Sequence, residues 1–323
     1  MSNNNLFPIV QPIVVLIGPT AIGKTALSIE LAERFDFEII SVDSMQVYRY
    51  MDIGTAKITK AEMKGIPHHL IDVVNPDESF DAVLYEELAL TAIQDIIARG
   101  KKVLLTGGTG LYLRALLNGL SNQLPAFPEI RKEIEGQLAA DGRDVLHEYL
   151  SSIDRISAKR IHKNDTHRLV RAIEIYKGTG KQWSALIEEH KAEMDLRFSN
   201  ILTIGLTCER EKLYERIGKR SNIMLESGFQ KEVEGLLNDG YSPGLKSMQS
   251  IGYSHIIKFL TMEWSKHEML EHLSRDTRRY AKRQFTWFNK IKDLLWVDTN
   301  EIQRVTNQVG VFINSTNLLF FIE

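Results

Sequence analysis

Only one cysteine, Cys208, occurs in the 323 residues, which excludes an internal disulfide or an all-cysteine zinc site within one chain. The compartment this predicts is a reducing cytoplasm. No apolar stretch reaches the ~18 residues of a membrane span, and Met1 to Pro12 lacks a basic start and a long apolar core. Neither export nor a membrane partner is expected. Charge of one sign is also missing, since 40 Lys and Arg stand against 42 Asp and Glu, a net of -2. That total does not announce a nucleic-acid partner, so a basic surface can arise only by clustering. Internal repeats and low-complexity tracts are absent, while 43% hydrophobic content is enough for a real core. The length allows one large domain or two of ordinary size.

What is present is organised around Gly18-Pro19-Thr20-Ala21-Ile22-Gly23-Lys24-Thr25, between the apolar run Ile13 to Ile17 and a helix predicted over Lys24 to Phe35. The two glycines let the backbone turn its N–H groups inward, Lys24 adds a mobile positive charge, and the Thr25 hydroxyl can ligate magnesium. The positive end of the helix dipole reinforces the same site. A second strand is predicted over Glu38 to Val42 and ends at Asp43; ligands of open α/β sheets sit outside such strand ends. A short strand Leu70 to Val74, a helix Asp81 to Arg99 stopped by Gly100, and a strand Val103 to Thr106 closing on Gly107-Gly108-Thr109-Gly110 complete a wound parallel sheet.

From about Ser121 to Asn200 the strand pattern disappears. Pro125 and Pro128 break the chain, and Asn164-Asp165 cap a helix Thr166 to Lys177 that Gly178 ends, with Arg168 and Arg171 off its packing face. A strand returns at Ile201 to Leu206, followed by helices over Glu211 to Ser227, Gln230 to Leu237 and Gly252 to Leu260, then a strand over Leu294 to Val297. The last twenty residues carry no readable signal. The predicted fold is α/β, a P-loop parallel sheet core flanked by helices with an inserted all-helical subdomain: core at 1–120 and 201–323, insertion at 121–200.

The strand Val103 to Thr106 lacks the acid that a nucleotide-hydrolysing P-loop enzyme uses beside magnesium. Leu70-Ile71-Asp72 is one substitute; Asp43 is the better one, as a general base, an outer magnesium ligand, or simply a loop cap. Arg275, Arg278, Arg279, Lys282, Arg283 and Lys290, placed on a helix with Thr286 and Asn289, occupy one arc of about 140°. Tyr280, Gln284, Trp287, Phe288 and Ile291 fall opposite. With only Asp276 to offset it locally, the arc reads as a surface for a polyanion such as RNA in preference to a solvated face. A second basic group runs from Arg155 to Arg171. Arg216 and Arg220 lie where a guanidinium can reach a phosphate on the loop. His68-His69 suggests a metal pair, but adjacent histidines point apart, and a structural role is preferred. The residues at this level leave open a small-molecule or nucleoside kinase, a nucleotide-gated RNA-binding module, and a prenyltransferase acting on free AMP or ADP. The basic arc disfavours the kinase and the free-nucleotide enzyme; Asp43, Arg216 and Arg220 disfavour the inert binder.

The ordered set of motifs resembles the bacterial tRNA dimethylallyltransferase family over nearly the whole chain. The matching pieces are the loop at 18–25, Asp43-Ser44-Met45-Gln46-Val47-Tyr48-Arg49, Asp52-Ile53-Gly54-Thr55-Ala56-Lys57, Pro67-His68-His69-Leu70-Ile71-Asp72 and Gly107-Gly108-Thr109-Gly110-Leu111-Tyr112. Further along come Arg171-Ala172-Ile173-Glu174, Ile251-Gly252-Tyr253, Tyr280-Ala281-Lys282-Arg283-Gln284 and Thr286-Trp287. The match is loose between 121 and 160. Ile22 replaces a small residue often seen before the second loop glycine, and the single cysteine excludes the zinc finger that eukaryotic members often add.

The resemblance implies transfer of a dimethylallyl group from dimethylallyl diphosphate to N6 of the adenosine 3′ of the anticodon, in tRNAs reading codons that begin with U. The loop Gly18 to Thr25 then holds the diphosphate, which explains the missing acid. Lys24, Arg220 and, less strongly, Arg216 stabilise the charge that leaves; Thr25 and Asp43 are the magnesium ligands. Asp43 takes the amine proton, and Thr20 and Thr109 line the channel where amine and prenyl carbon meet. Ser44, Met45 and Gln46 approach the target base, which must leave its stack. Arg168, Arg171, Arg278, Arg279, Lys282, Arg283 and Gln284 hold the anticodon stem and loop. The expected assembly is a monomer.

Overall fold

Five fully buried residues, Ile13–Ile17, form strand β1. A strand buried on both faces needs cover on both sides, the condition of a parallel sheet wrapped by helices. β1 pairs in parallel with β4 (Lys102–Gly107) on one side and β5 (Ile201–Thr207) on the other. The order is β3-β2-β4-β1-β5-β6, with β2 at Phe37–Val42, β3 at His68–His69 and β6 at Leu295–Asp298, and every pairing is parallel. The computed structural model describes residues 8–119, 126–193 and 197–320. Two compact units divide them, one of 1–117 with 197–323 and one of 118–196.

In the first unit, α1 (Lys24–Phe35) and α2 (Ala82–Ala98) cross between strands. Asp81 caps α2 by accepting the N–H groups of Val83 and Leu84 at 2.9 and 3.0 Å. After β4 comes α3 (Gly110–Asn118), and after β5 come α8 (Arg210–Glu226), α9 (Phe229–Asn238), α10 (Tyr253–Leu260) and α11 (Lys266–Phe288). Ser265 and Glu268 close a reciprocal capping box at the start of α11. The final α12 (Ile302–Phe320) packs on α1, β5 and β6. Its buried Val305, Val309 and Ile313 repeat at helical spacing, a signal that was available in a stretch where none was read. No helix among the described residues is long and apolar enough to cross a membrane.

The second unit holds α4 (Pro128–Ile153), α5 (Arg155–Arg160), α6 (Thr166–Thr179) and α7 (Trp183–Glu193). Pro128 opens α4 instead of breaking the chain, because a first-turn proline gives up no helical hydrogen bond. Ser121 and Pro125 lie outside the described residues. Asp165 caps α6 as expected, but Gly178 does not end it: a Cβ there would stand 2.4 Å from the Phe127 ring, so this glycine serves close packing. The left-handed residue that ends α6 is Gly180 (φ 73°).

The strand expected over Leu70 to Val74 is a second correction. Pairing stops after His69 because Leu70 and Asp72 adopt φ of 61° and 56°, incompatible with extended backbone, and Val74 makes only an isolated bridge to Tyr48. The segment closes a second apolar cluster instead, with Val47, Met51, Phe229, Met248 and Tyr253. That cluster stands beside the sheet and forms one wall of the site.

Candidate active site at the carboxyl ends of the strands

The phosphate-loop sequence leaves β1 at Ile17 and turns into α1 through Gly23, whose φ of 105° a side chain would strain. Lys24 is the first residue of α1, and its ammonium donates to the carbonyls of Gly18 and Pro19 at 2.8 and 2.9 Å. Two distant side chains brace the loop. Arg216 of α8 donates to Ile22 O at 3.1 Å, and the Gln284 side-chain oxygen of α11 accepts the Thr20 N–H at 2.9 Å. The same Gln284 amide donates to Gly108 O at 2.9 Å, tying the loop to the turn after β4.

The electrostatics of this end are short of negative charge. Burial pushes the Lys24 ammonium down to about 7, with the Arg220 charge adding to the fall and Asp43 opposing it. Arg220 is itself lowered by burial, again against Asp43. Two desolvated cations thus share one nearby carboxylate, an arrangement that an incoming anion stabilises.

Asp43 follows β2 and is held by an Asx turn, its Oδ1 accepting the N–H groups of Met45 and Gln46 at 2.8 and 3.2 Å. The Thr109 hydroxyl oxygen accepts the Ser44 N–H at 3.0 Å, and the N–H groups of Gly108 and Thr109 both donate to Val42 O. The turns after β2 and β4 are therefore fastened to each other directly above the sheet.

A cavity of about 290 Å³ opens between these turns and the helices behind them. Thr20, Asp43 and Arg220 line it at the loop end, and Ser44, Met45 and Arg283 also line it, Met45 packing against the cluster of Phe229 and Tyr253. One wall is the face of α8 that carries Ile217, Arg220 and Met224; another is the face of α11 that carries Leu273, Thr277 and Tyr280. Gly54, Phe229 and Tyr253 close the far end. Burial pushes the Tyr280 phenol up to about 12, the Asp43 charge acting in the same direction and hydrogen bonding toward Thr109 and Gln284 opposing. Sequence reasoning assigned Tyr280 to the packing face and missed it as a site residue. Leu273, Thr277, Tyr280 and Gln284 repeat at helical spacing, which is also the pattern of an ordinary core stripe.

Other expected residues have different surroundings. Gln46 is turned under its own loop, accepting from the Ser41 hydroxyl at 3.1 Å, and Gln284 is 4% exposed with both amide groups on backbone. These two glutamines and Arg216 hold protein, and none of the three lines the cavity. In the helical unit, Arg171 pairs at 3.0 Å with the fully buried Glu174, which also accepts from Phe127 and Arg131; Arg168 is exposed and pairs with its cap Asp165 at 2.7 Å. Arg278, Arg279, Lys282 and Arg283 are exposed on α11. Asn289 caps that helix, so Lys290 and Ile291 fall beyond the expected stripe. Asp276 pairs with Arg275 and Arg279, leaving the other cations as the free edge of the surface. Arg278 lies over the Tyr214 ring at 5.4 Å.

His69 Nε2 donates to the buried Glu38 carboxylate at 2.7 Å, and His68 Nδ1 donates to Ile66 O at 2.9 Å, the structural role expected of the pair. Asp72 is bound to Lys57 at 2.6 Å and does not line the cavity. Among the described residues no cluster of three or more His, Cys, Asp or Glu side chains is arranged around a metal. Thr25, exposed in the first turn of α1, and Asp43 are hard oxygen donors. Such a sparse set suits magnesium, which keeps waters and binds substrate phosphates in place of an all-protein cage.

Fold and cavity together define a class: a parallel α/β protein in which the turn after β1, through Thr20, and the carboxylate after β2 line one chamber at the carboxyl ends of the strands. The chain belongs to the IPP transferase family, whose model matches residues 46–291. It is 50% identical over 303 residues to a tRNA dimethylallyltransferase of Desulfotalea psychrophila, covering 94% of this chain and 96% of that one. The crystal structure of a tRNA isopentenylpyrophosphate transferase from Bacillus halodurans superposes with a TM-score of 0.70 at 38% identity, over 96% of this chain and 99% of that one. A eukaryotic dimethylallyltransferase captured acting on tRNA gives a TM-score of 0.79 at 32% identity, over 94% of this chain and 80% of its own.

Proposed function

We propose that this protein transfers the dimethylallyl group of dimethylallyl diphosphate to N6 of the adenosine 3′ of the anticodon, in tRNAs reading codons that begin with U, releasing diphosphate. The observation that carries this reading is a pair of partly desolvated cations, Arg220 lining the cavity with Asp43 and Lys24 bonded to the loop carbonyls, both acted on by the Asp43 charge. The N–H groups of the loop Gly18 to Thr25 and the Lys24 ammonium take the diphosphate; Lys24 exchanges its bonds to Gly18 and Pro19 for phosphate oxygens. As the C1–O bond of the donor breaks, the N6 lone pair forms the new C–N bond, and the amine proton passes to Asp43. Preorganised positive charge from Lys24 and Arg220 meets the charge developing on the leaving diphosphate. Magnesium held by Thr25, the diphosphate and Asp43 would supply further charge neutralisation there. Thr20 and Thr109 flank the meeting point of amine and carbon.

The target base leaves its stack at a cost of a few kcal/mol, least in an unpaired loop, and enters past Ser44 and Met45. Exposed Arg278, Arg279, Lys282 and Arg283 supply phosphate contacts that the net charge of the chain conceals. The protein acts as a monomer in the cytoplasm, a compartment consistent with a tRNA substrate and with a single cysteine.

The test is direct: purified protein, magnesium, dimethylallyl diphosphate and unmodified tRNA should give a prenylated adenosine by mass spectrometry, with no ATP required or consumed. Steady ATP turnover on a small acceptor, without mass gain on tRNA, would overturn the reading.

A further inference from the structure

The far end of the cavity is shaped by a turn that has no room to move. Gly54 faces the rings of Phe229 and Tyr253, and a Cβ at this position would stand 2.2 Å from the first and 2.5 Å from the second. Those rings meet edge to face, 5.0 Å between centroids at 82°. The backbone N–H groups of Asp52, Ile53 and Gly54 converge on one acceptor, the carboxylate of Glu232 on α9, at 3.0, 2.6 and 3.1 Å. The Tyr253 hydroxyl donates to the same carboxylate at 2.6 Å. Three consecutive N–H groups turned to one point form the kind of nest that ordinarily takes a phosphate or another anion. Here the chain fills its own nest, so the arrangement is a clamp and not a ligand site.

The clamp has a second jaw. Lys57, its side chain only 5% exposed, donates to Tyr48 O at 2.7 Å and pairs with Asp52 and Asp72, each at 2.6 Å. Both ends of the turn are thus fixed by charge-assisted bonds, roughly twice as strong as neutral ones. Along α8, Met224 stands one turn beyond Arg220; along α11, Leu273 stands about two turns beyond Tyr280, some 10 Å from it along the axis. Met224 packs against the same apolar cluster as Phe229 and Tyr253, so the clamped wall bounds the Met224 end of the cavity, a helical turn beyond Arg220.

We propose that Glu232 is a positioning residue for the acceptor half of the reaction: by holding Asp52 to Gly54 against Phe229 and Tyr253, it fixes the width of the cavity end that receives the target base. This rests on the transfer reaction above, in which the diphosphate occupies the loop end and the acceptor must approach from the other. Glu232 touches neither substrate. Its effect is carried by the turn and by the two rings.

Glu232→Gln keeps the shape but replaces one accepting oxygen with an amide group that cannot accept. Tyr253→Phe removes a single bond of the four. Steady-state kinetics with each substrate varied in turn should give Glu232→Gln a KM for tRNA about tenfold higher, the equivalent of one or two net hydrogen bonds. The KM for dimethylallyl diphosphate should stay within about twofold, since the phosphate loop is braced separately by Arg216 and Gln284. Tyr253→Phe should move the tRNA KM the same way by a smaller factor. Equal changes in both KM values, or no change in either variant, would overturn the role of Glu232. The two readings fail differently: a wild-type protein that prenylates no tRNA defeats the proposed reaction, whereas an active wild type with unsplit KM values in both variants defeats only the clamp.

Discussion

The two ends of the cavity are built on opposite plans. At the loop end, Thr20 of the loop, Asp43 after β2 and Arg220 of α8 line the cavity, Lys24 is bonded to the loop carbonyls, and the chemistry is partly desolvated positive charge. At the far end, Gly54, Phe229, Tyr253 and Leu273 come from four separate segments, and the chemistry is rigid aromatic surface held by one carboxylate. The difference teaches where each kind of error appears. A charge end is defined by what it binds, so its residues announce themselves as a motif. A shape end is defined by what it excludes, so its residues look like core until the helices are packed.

Three variants separate the ends and a fourth tests the surface outside them; the largest effect belongs to the carboxylate at the loop end. Asp43→Ala should lower kcat by roughly 10² to 10⁴, the usual worth of a well-placed base, with tRNA affinity nearly unchanged in a filter-binding assay. Equal losses in both would mean that Asp43 holds RNA and not a proton. Gly54→Ala should destabilise the protein by about 1–3 kcal/mol, because the added methyl must displace the Phe229 and Tyr253 rings. Denaturant unfolding measures it, and an unchanged midpoint would mean that the far wall is soft.

The third is a pH effect confined to the loop end. Desolvation pushes the half-buried Lys24 ammonium down to about 7 from its ordinary 10.5, so between these values the unfolded chain binds a proton that the folded protein lacks. Stability relative to Lys24→Met should therefore rise as pH climbs through that window, the penalty for burying the cation being fully present below it. Bound diphosphate needs the charged form, so the donor KM should rise above about pH 7 by up to tenfold per pH unit, and Lys24→Met should lose that slope. A donor KM flat from pH 7 to 9 in the wild type would contradict the assignment. The smallest effect lies outside the cavity: Arg279→Ala with Lys282→Ala should weaken tRNA binding and reduce the salt slope by about two, one for each phosphate contact, while leaving the donor KM alone.

Much of the site was legible. The strand ends that carry the phosphate loop, Asp43 and Thr109 follow from apolar runs stopped by glycine or aspartate, and parallel pairing brings those ends to one edge of the sheet. The helical segment 275–288 was readable as basic on one side. Its inner side was not, because Tyr280 and Gln284 obey the same periodicity as buried Ala281 and Phe288, and exposure to a cavity leaves no mark on spacing. Gln46 and Gln284 were expected near tRNA from the family resemblance; the structure gives their side chains hydroxyl and backbone partners. The strand expected over 70–74 failed for a local reason, two non-glycine residues at positive φ that β-branched neighbours concealed.

By itself the sequence determined a wound parallel sheet, the loop that turns N–H groups toward an anion, and the carboxylate beside it. Those features depend on neighbouring residues: glycine's freedom at Gly23, apolar runs that must be covered, a strand that ends in aspartate. Tertiary structure alone decided that Gln284 would brace Thr20 across 264 positions, that Tyr280 would face the chamber, and that Glu232 would hold the turn at Gly54. Contacts of that kind are chosen by how helices pack against one another, and a one-dimensional pattern records which face of a helix is apolar without recording what that face will meet.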